Sequence, residues 1–199
     1  MARVGVESIR RQQLIDATLE VIEIHGFQGA TIGKIAAASE LSVGIVSHYF
    51  GGKQGLLEAT MRYLLSCLQE DASKLMAGQP NTPRECLMAI VDANFSGVQT
   101  HAQSAKTWLA FWTQAMHSPE LMRLQRVNER RLLSNLIFHL RKLMPGESAQ
   151  ATAQTLAAMI DGFWLRAAMS EGRIEPDQAV ALCKTYIDQA IKANNGASK

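Results

Sequence analysis

Proline and cysteine are scarce in this sequence, and each scarcity excludes something. Five prolines (Pro80, Pro83, Pro119, Pro145, Pro176) stand in 199 residues, and each falls where apolar periodicity stops or resumes, so they separate long helices rather than break them. Three cysteines (Cys67, Cys86, Cys183), separated by 19 and 97 positions, give neither a disulfide framework nor a CxxC metal pair, which suits a reducing compartment. Strand signals are missing, because no run alternates Val, Ile, Thr and aromatic residues beside an Asn-Gly or Asp-Gly turn. The most apolar late stretch, 156–169, is broken by Asp161 and Arg166, and the first residues lack the apolar core of a secretory signal. No membrane partner is therefore expected, and the cytoplasm is the expected location. Lys+Arg 20 against Asp+Glu 18 leave a net charge of only +2, which by itself predicts no partner. Five histidines without HxxxH or HExxH spacing, and the lack of Gly-x-Ser-x-Gly, Walker or dinucleotide fingerprints, lead to the expectation of no metal, no cofactor and no enzymatic chemistry.

What is there is helix. With 47% hydrophobic and 19% charged residues, the chain can build one large domain or two small ones, and the fold class is all-α. Periodicity predicts helices at about 8–25, 31–39, 43–49, 53–77, 84–98, 104–117, 119–143, 148–171 and 176–193, with 194–199 fraying. Gly26 supplies a left-handed stop to the first, and the hydroxyls of Thr31 and Ser42 suit the N-caps of the second and third. The last two helices are apolar over so wide a stripe that a second cover is expected, which favours a homodimer; two core helices of a monomer are the alternative.

Residues 31–49 have the architecture of a helix-turn-helix, with a turn at Ser39-Glu40-Leu41. Ala30-Thr31-Ile32, Ile35-Ala36, Ser42-Val43-Gly44-Ile45-Val46-Ser47-His48-Tyr49-Phe50 and Lys53 to Leu57 resemble the DNA-binding domain of the TetR family of repressors. Glu40 stands where that family usually has a turn glycine, and Ser47 where it usually has a tyrosine. Ser47 to Phe50, Trp108 to Trp112, Arg130 to Leu136 and Ile160 to Arg166 further resemble the family's choline-responsive, BetI-type branch, and this likeness runs through nearly the whole chain.

The resemblance implies a helix-turn-helix domain at 1–55, continuing into a linking helix at 53–77, and a ligand-binding and dimerisation domain at 56–199. It implies a repressor of glycine betaine synthesis and choline uptake genes, bound to double-stranded operator DNA as a homodimer and modulated by choline or betaine aldehyde. The alternative is a repressor of other genes, such as efflux genes, sensing another small molecule. Thr31 and Ser42 suit phosphate contacts at helix N-termini. Gly44 lets the third helix approach the duplex, where Val43 or Ile45 can meet a thymine methyl and His48 a base edge or phosphate. Ser47 lies on the same segment, and Tyr49 and Lys53 resemble the family's phosphate contacts. Residues 1–62 hold six basic and six acidic side chains, so binding has to rest on charge placement, with Arg3, Arg10 and Arg11 as an N-terminal arm.

All three tryptophans lie in the second part of the chain, with Trp108 and Trp112 one turn apart and Trp164 three positions after Asp161. Aromatic walls with one acid suit a quaternary ammonium, which cannot donate N–H bonds and is held by ring quadrupoles and charge. The expected cage is Asn94, Phe95, Trp108, Phe111, Trp112, Asp161 and Trp164, with Asn94, Asn135 or Tyr186 open as partners for a hydroxyl. A core role for the aromatics, and an arginine partner for Asp161, are the structural alternatives. Arg123, Arg126, Arg130 and Arg131 read as a solvated face.

Overall fold

The computed structural model describes residues 2–77, 82–95, 102–169 and 175–196. These form nine helices: α1 Ala2–Gly29, α2 Ile32–Ala38, α3 Val43–Phe50, α4 Lys53–Ala77, α5 Pro83–Asn94, α6 Ala102–Ala115, α7 Pro119–Leu140, α8 Gly146–Met169 and α9 Pro176–Gly196. No strand occurs among the described residues. The first helix begins earlier than periodicity predicts, and it bends at Gly26, whose φ of 66° marks the expected stop. The linker residues 78–81, the ends expected at 98 and 171, and residues 197–199 lie outside the described residues, as does the side chain of Arg3. Fraying from Asn194 is not what the structure shows, because α9 continues to Gly196 and the Asn194 amide donates to Ala190 O at 2.9 Å.

Three hydrophobic clusters organise the helices. The first joins α1, α2, α3 and the start of α4 through Leu14, Ile22, Ile35, Val46, Leu56 and Leu57. At full burial, Val46 and Leu56 each contribute about 1.5–3 kcal/mol by leaving water. A second cluster places Leu19 of α1 and Met61 and Leu64 of α4 against Trp108 and Phe111 of α6 and Leu121 of α7. The third and largest packs α5, α7, α8 and α9 around Leu87, Leu136, Leu156, Ile160, Cys183 and Ile187.

Local signals explain the boundaries. Thr82 and Glu85 form a reciprocal capping box at α5, and Ser118 accepts from Leu121 N to open α7. Arg84 grips Asp188 with two hydrogen bonds of 2.7 and 2.8 Å, fastening α5 to α9. Burial pushes the Cys183 thiol up to about 11, so it behaves as a small apolar group in the third cluster.

Candidate functional site

The segment 31–53 is built by caps and one strained turn. Thr31 caps α2 by accepting from Lys34 N at 3.3 Å. At the end of α2, Leu41 N donates to Ala36 O and Glu40 N to Ala37 O, a Schellman closure in which Glu40 takes φ 55°. That is the left-handed region in which a side chain is disfavoured, so the turn accommodates Glu40 at a cost. Ser42 stands at the N-cap of α3 with extended backbone, but its hydroxyl makes no cap bond, contrary to the expected cap. The hydroxyl is left to an outside partner.

One face of α3 is open. Thr31, Ser42, Val43, Gly44, Ser47 and His48 are exposed, and Val43 keeps 53% of its surface accessible. Ile45 is not on this face: half-buried, it packs with Val46 against the first cluster, which leaves Val43 as the apolar group on the open side. Tyr49 is also half-buried against that cluster, its ring 5.0 Å from that of His48. A Cβ added to Gly44 would meet nothing within 4 Å, so nothing inside the chain requires a glycine there. Gly55 is the reverse case, since a Cβ there would overlap the Phe50 carbonyl at the α3–α4 junction.

Two expected phosphate-facing cations are engaged inside the protein. Arg11 donates to Tyr49 O at 2.7 Å, pairs with Glu7 at 3.0 Å and lies 4.8 Å over the Phe50 ring. It therefore clamps α1 to the end of α3 rather than forming part of a free arm. Lys53 donates to Phe27 O at 3.3 Å and sits 5.2 Å over the Phe27 ring, which holds the start of α4 near the bend of α1.

A cavity of about 380 Å³ opens between α4, α5, α6, α7 and α8, within the roughly 300–1,000 Å³ range of small-molecule sites. Trp108, Trp112 and Trp164, all the tryptophans of the chain, line it together with Asn94 and Asp161. Trp108 and Trp112 are tilted by 43° with centroids 6.3 Å apart rather than stacked. Phe95 and Phe111 do not line the cavity. Phe95 stacks behind Trp164 at 6.0 Å, and Phe111, 2% exposed, supports Trp108 edge-on from the second cluster. Tyr186 packs against the third cluster, whereas Asn135 does reach the cavity. The Asn94 amide donates to Ile90 O at 2.8 Å, leaving its carbonyl oxygen as an acceptor.

Asp161 keeps accessible surface, but enough protein surrounds it that burial, with the Glu129 carboxylate adding, pushes its carboxyl up to about 6. No cation forms an ion pair with it among the described residues, so the expected alternative of an arginine partner is not what the structure shows. Sequence periodicity misses the α4 wall, Leu65, Leu68, Gln69, Ala72 and Ser73, because only the fold packs that helix on α5 and α7 and so across the cavity from α8. Arg123, Arg126, Arg130 and Arg131 are all exposed, in keeping with the solvated face expected of them, and Arg131 in addition borders the cavity and donates to Gln69 Oε1 at 3.1 Å. No group of three His, Cys, Asp or Glu side chains converges among the described residues, and none of their helices is long and apolar enough to cross a membrane.

Comparison with known proteins agrees with this arrangement. Residues 14–60 match the model of bacterial regulatory proteins of the tetR family, and 83–192 that of the BetI-type transcriptional repressor C-terminal domain. The chain is 48% identical over 191 residues to the HTH-type transcriptional regulator BetI 1 of Chromohalobacter salexigens, covering 96% of this chain and 95% of that one. A transcriptional regulator solved from Pseudomonas aeruginosa PAO1 is similar with a TM-score of 0.79 at 28% identity, over 93% of this chain and 91% of that one. At 18% identity the fold is shared with a transcriptional regulator from Saccharomonospora viridis solved in complex with choline, with a TM-score of 0.78 over 91% of this chain and 96% of that one. The open third helix, the ligand-sized cavity behind it and these matches lead to one conclusion: the chain belongs to the TetR family of transcriptional regulators, in its BetI-type branch, and is a transcriptional repressor rather than an enzyme.

Proposed function

We propose that this repressor senses choline or betaine aldehyde in the cavity and controls genes of glycine betaine synthesis and choline uptake. The observation that carries the reading is the meeting in one cavity of three tryptophans and a carboxylate that has no ion-pair partner among the described residues. A trimethylammonium group is attracted to aromatic faces and to Asp161, and the Asn94 carbonyl oxygen can accept from a hydroxyl. The choline complex of the Saccharomonospora viridis relative supports the ligand class.

Residues 1–55 with the start of α4 form the DNA-binding unit in this reading, and 56–199 the sensing and dimerising unit. Leu165 and Met169 of α8 and Leu182 of α9 are exposed at 39%, 73% and 46%, which supports a homodimer closed over these helices. Such a dimer presents two α3 helices to half-sites about 34–36 Å apart, in the cytoplasm where operator DNA lies. A ligand that prefers the conformation with misplaced recognition helices lowers DNA affinity, and the coupling is reciprocal. Helix α4, which begins at the α3 junction and ends in the cavity wall, is the lever. Choline titrated into the protein is expected to change tryptophan fluorescence and to weaken operator binding; failure of both refutes the reading.

A further inference from the structure

The cavity holds two opposite charges that do not pair with each other. Asp161 lines it from α8 and Arg131 from α7, and among the described residues neither has an ion-pair partner. Among the described residues the Arg131 guanidinium donates only to a neutral amide, Gln69 Oε1 at 3.1 Å, which leaves most of the fork's five donors open. Asn128 and Asn135, from the same helix as Arg131, add amide groups to the wall.

Choline engages only one of these charges and does not fill the space. At about 30 Å³ per non-hydrogen atom, the share water takes in the liquid, its seven such atoms occupy roughly 200 Å³. The cavity measures about 380 Å³. A guanidinium beside amide donors is suited to a carboxylate or phosphate, which it can hold through two parallel hydrogen bonds.

We infer that the cavity recognises a quaternary ammonium bearing an anionic group, with the cation among Asp161 and the tryptophans and the anion at Arg131. This rests on the trimethylammonium reading above and extends it to zwitterionic ligands. Trimethylammonium carboxylates and trimethylammonium phosphoesters share this chemistry, and Arg131 is the residue that discriminates them from choline.

The test is titration of tryptophan fluorescence, checked by calorimetry, with choline, N,N,N-trimethylglycine and phosphocholine on the full chain and on R131Q and D161N. In the wild type at least one zwitterion is expected to bind more tightly than choline, the better one identifying the anion as carboxylate or phosphate. In R131Q the preference for that zwitterion over choline is expected to fall at least tenfold, while D161N weakens both ligands. Choline binding without either zwitterion, or an unchanged preference in R131Q, overturns this inference and leaves the trimethylammonium reading standing. Binding of none of the three overturns both. Arg131 is exposed, and circular dichroism of R131Q checks that its fold is kept.

Discussion

The guanidinium of Arg11 donates a 2.7 Å hydrogen bond to the carbonyl of Tyr49, so the first helix holds the last turn of the third. A cation at that end also meets the negative pole of α3, and its plane lies 4.8 Å over the Phe50 ring. Arg11→Ala is expected to cost about 1 kcal/mol in thermal unfolding and to weaken operator binding several-fold, although Arg11 is engaged away from the open face. Arg11→Lys should recover part of the stability, because one ammonium cannot reproduce the planar fork that reaches both Glu7 and the Tyr49 carbonyl. Unchanged stability with weakened DNA binding would instead place Arg11 on phosphate.

Gly44 and Gly55 make opposite predictions from the same substitution. Gly44→Ala meets empty space and replaces a glycine in the first turn of α3, so it should raise stability by up to about 0.5 kcal/mol while reducing operator affinity at least tenfold. Gly55→Ala runs into the Phe50 carbonyl and should lower stability. Paired thermal melts and gel shifts separate the two effects. Full operator binding by the Gly44 variant would mean that α3 does not approach DNA closely.

Much of the fold was legible because prolines, glycines and caps mark helix ends locally. Gly26, Thr31 and Pro119 work through neighbours within four residues, so periodicity and spacing find them. Ser42 does take the N-cap position expected of it, but extended backbone there does not oblige its hydroxyl to turn inward. Ile45 and Val43 could not be separated by sequence, since on an eight-residue helix a modest rotation moves a side chain from groove to core. Phe95, Phe111 and Arg131 depended on which helices meet, which is tertiary information: the two phenylalanines went behind the cavity and the arginine into its wall.

Glu40 gives this lesson a test of its own. Its φ of 55° belongs to glycine's range, and the turn's Schellman bonds depend on it. Glu40→Gly should stabilise the protein by about 1 kcal/mol in denaturant unfolding. A loss of stability would show that the Glu40 side chain contributes more than its backbone strain costs.

Asp161 ties ligand binding to pH. Its carboxyl is raised to about 6 by burial and by Glu129 of α7, and the Arg131 guanidinium, also of α7, faces the same cavity. A cation needs the ionised form, so choline affinity should fall about tenfold between pH 7 and pH 5. The stability sign is the reverse. A carboxyl raised in the folded state favours folding in its protonated form, an advantage lost as pH climbs through about 6. Asp161→Asn should therefore stabilise the empty protein at pH 7 by on the order of 1 kcal/mol, discounted for its accessibility, with the gain fading toward pH 4. Choline affinity independent of pH over this window would remove Asp161 from the site.

The most direct measurement is operator affinity, on DNA upstream of the chain's own gene, at fixed salt with and without saturating choline. The account predicts a 5- to 150-fold weakening, about 1–3 kcal/mol of coupling, and an equal weakening of choline binding by operator DNA. Choline that binds the cavity yet leaves operator affinity unchanged would contradict it.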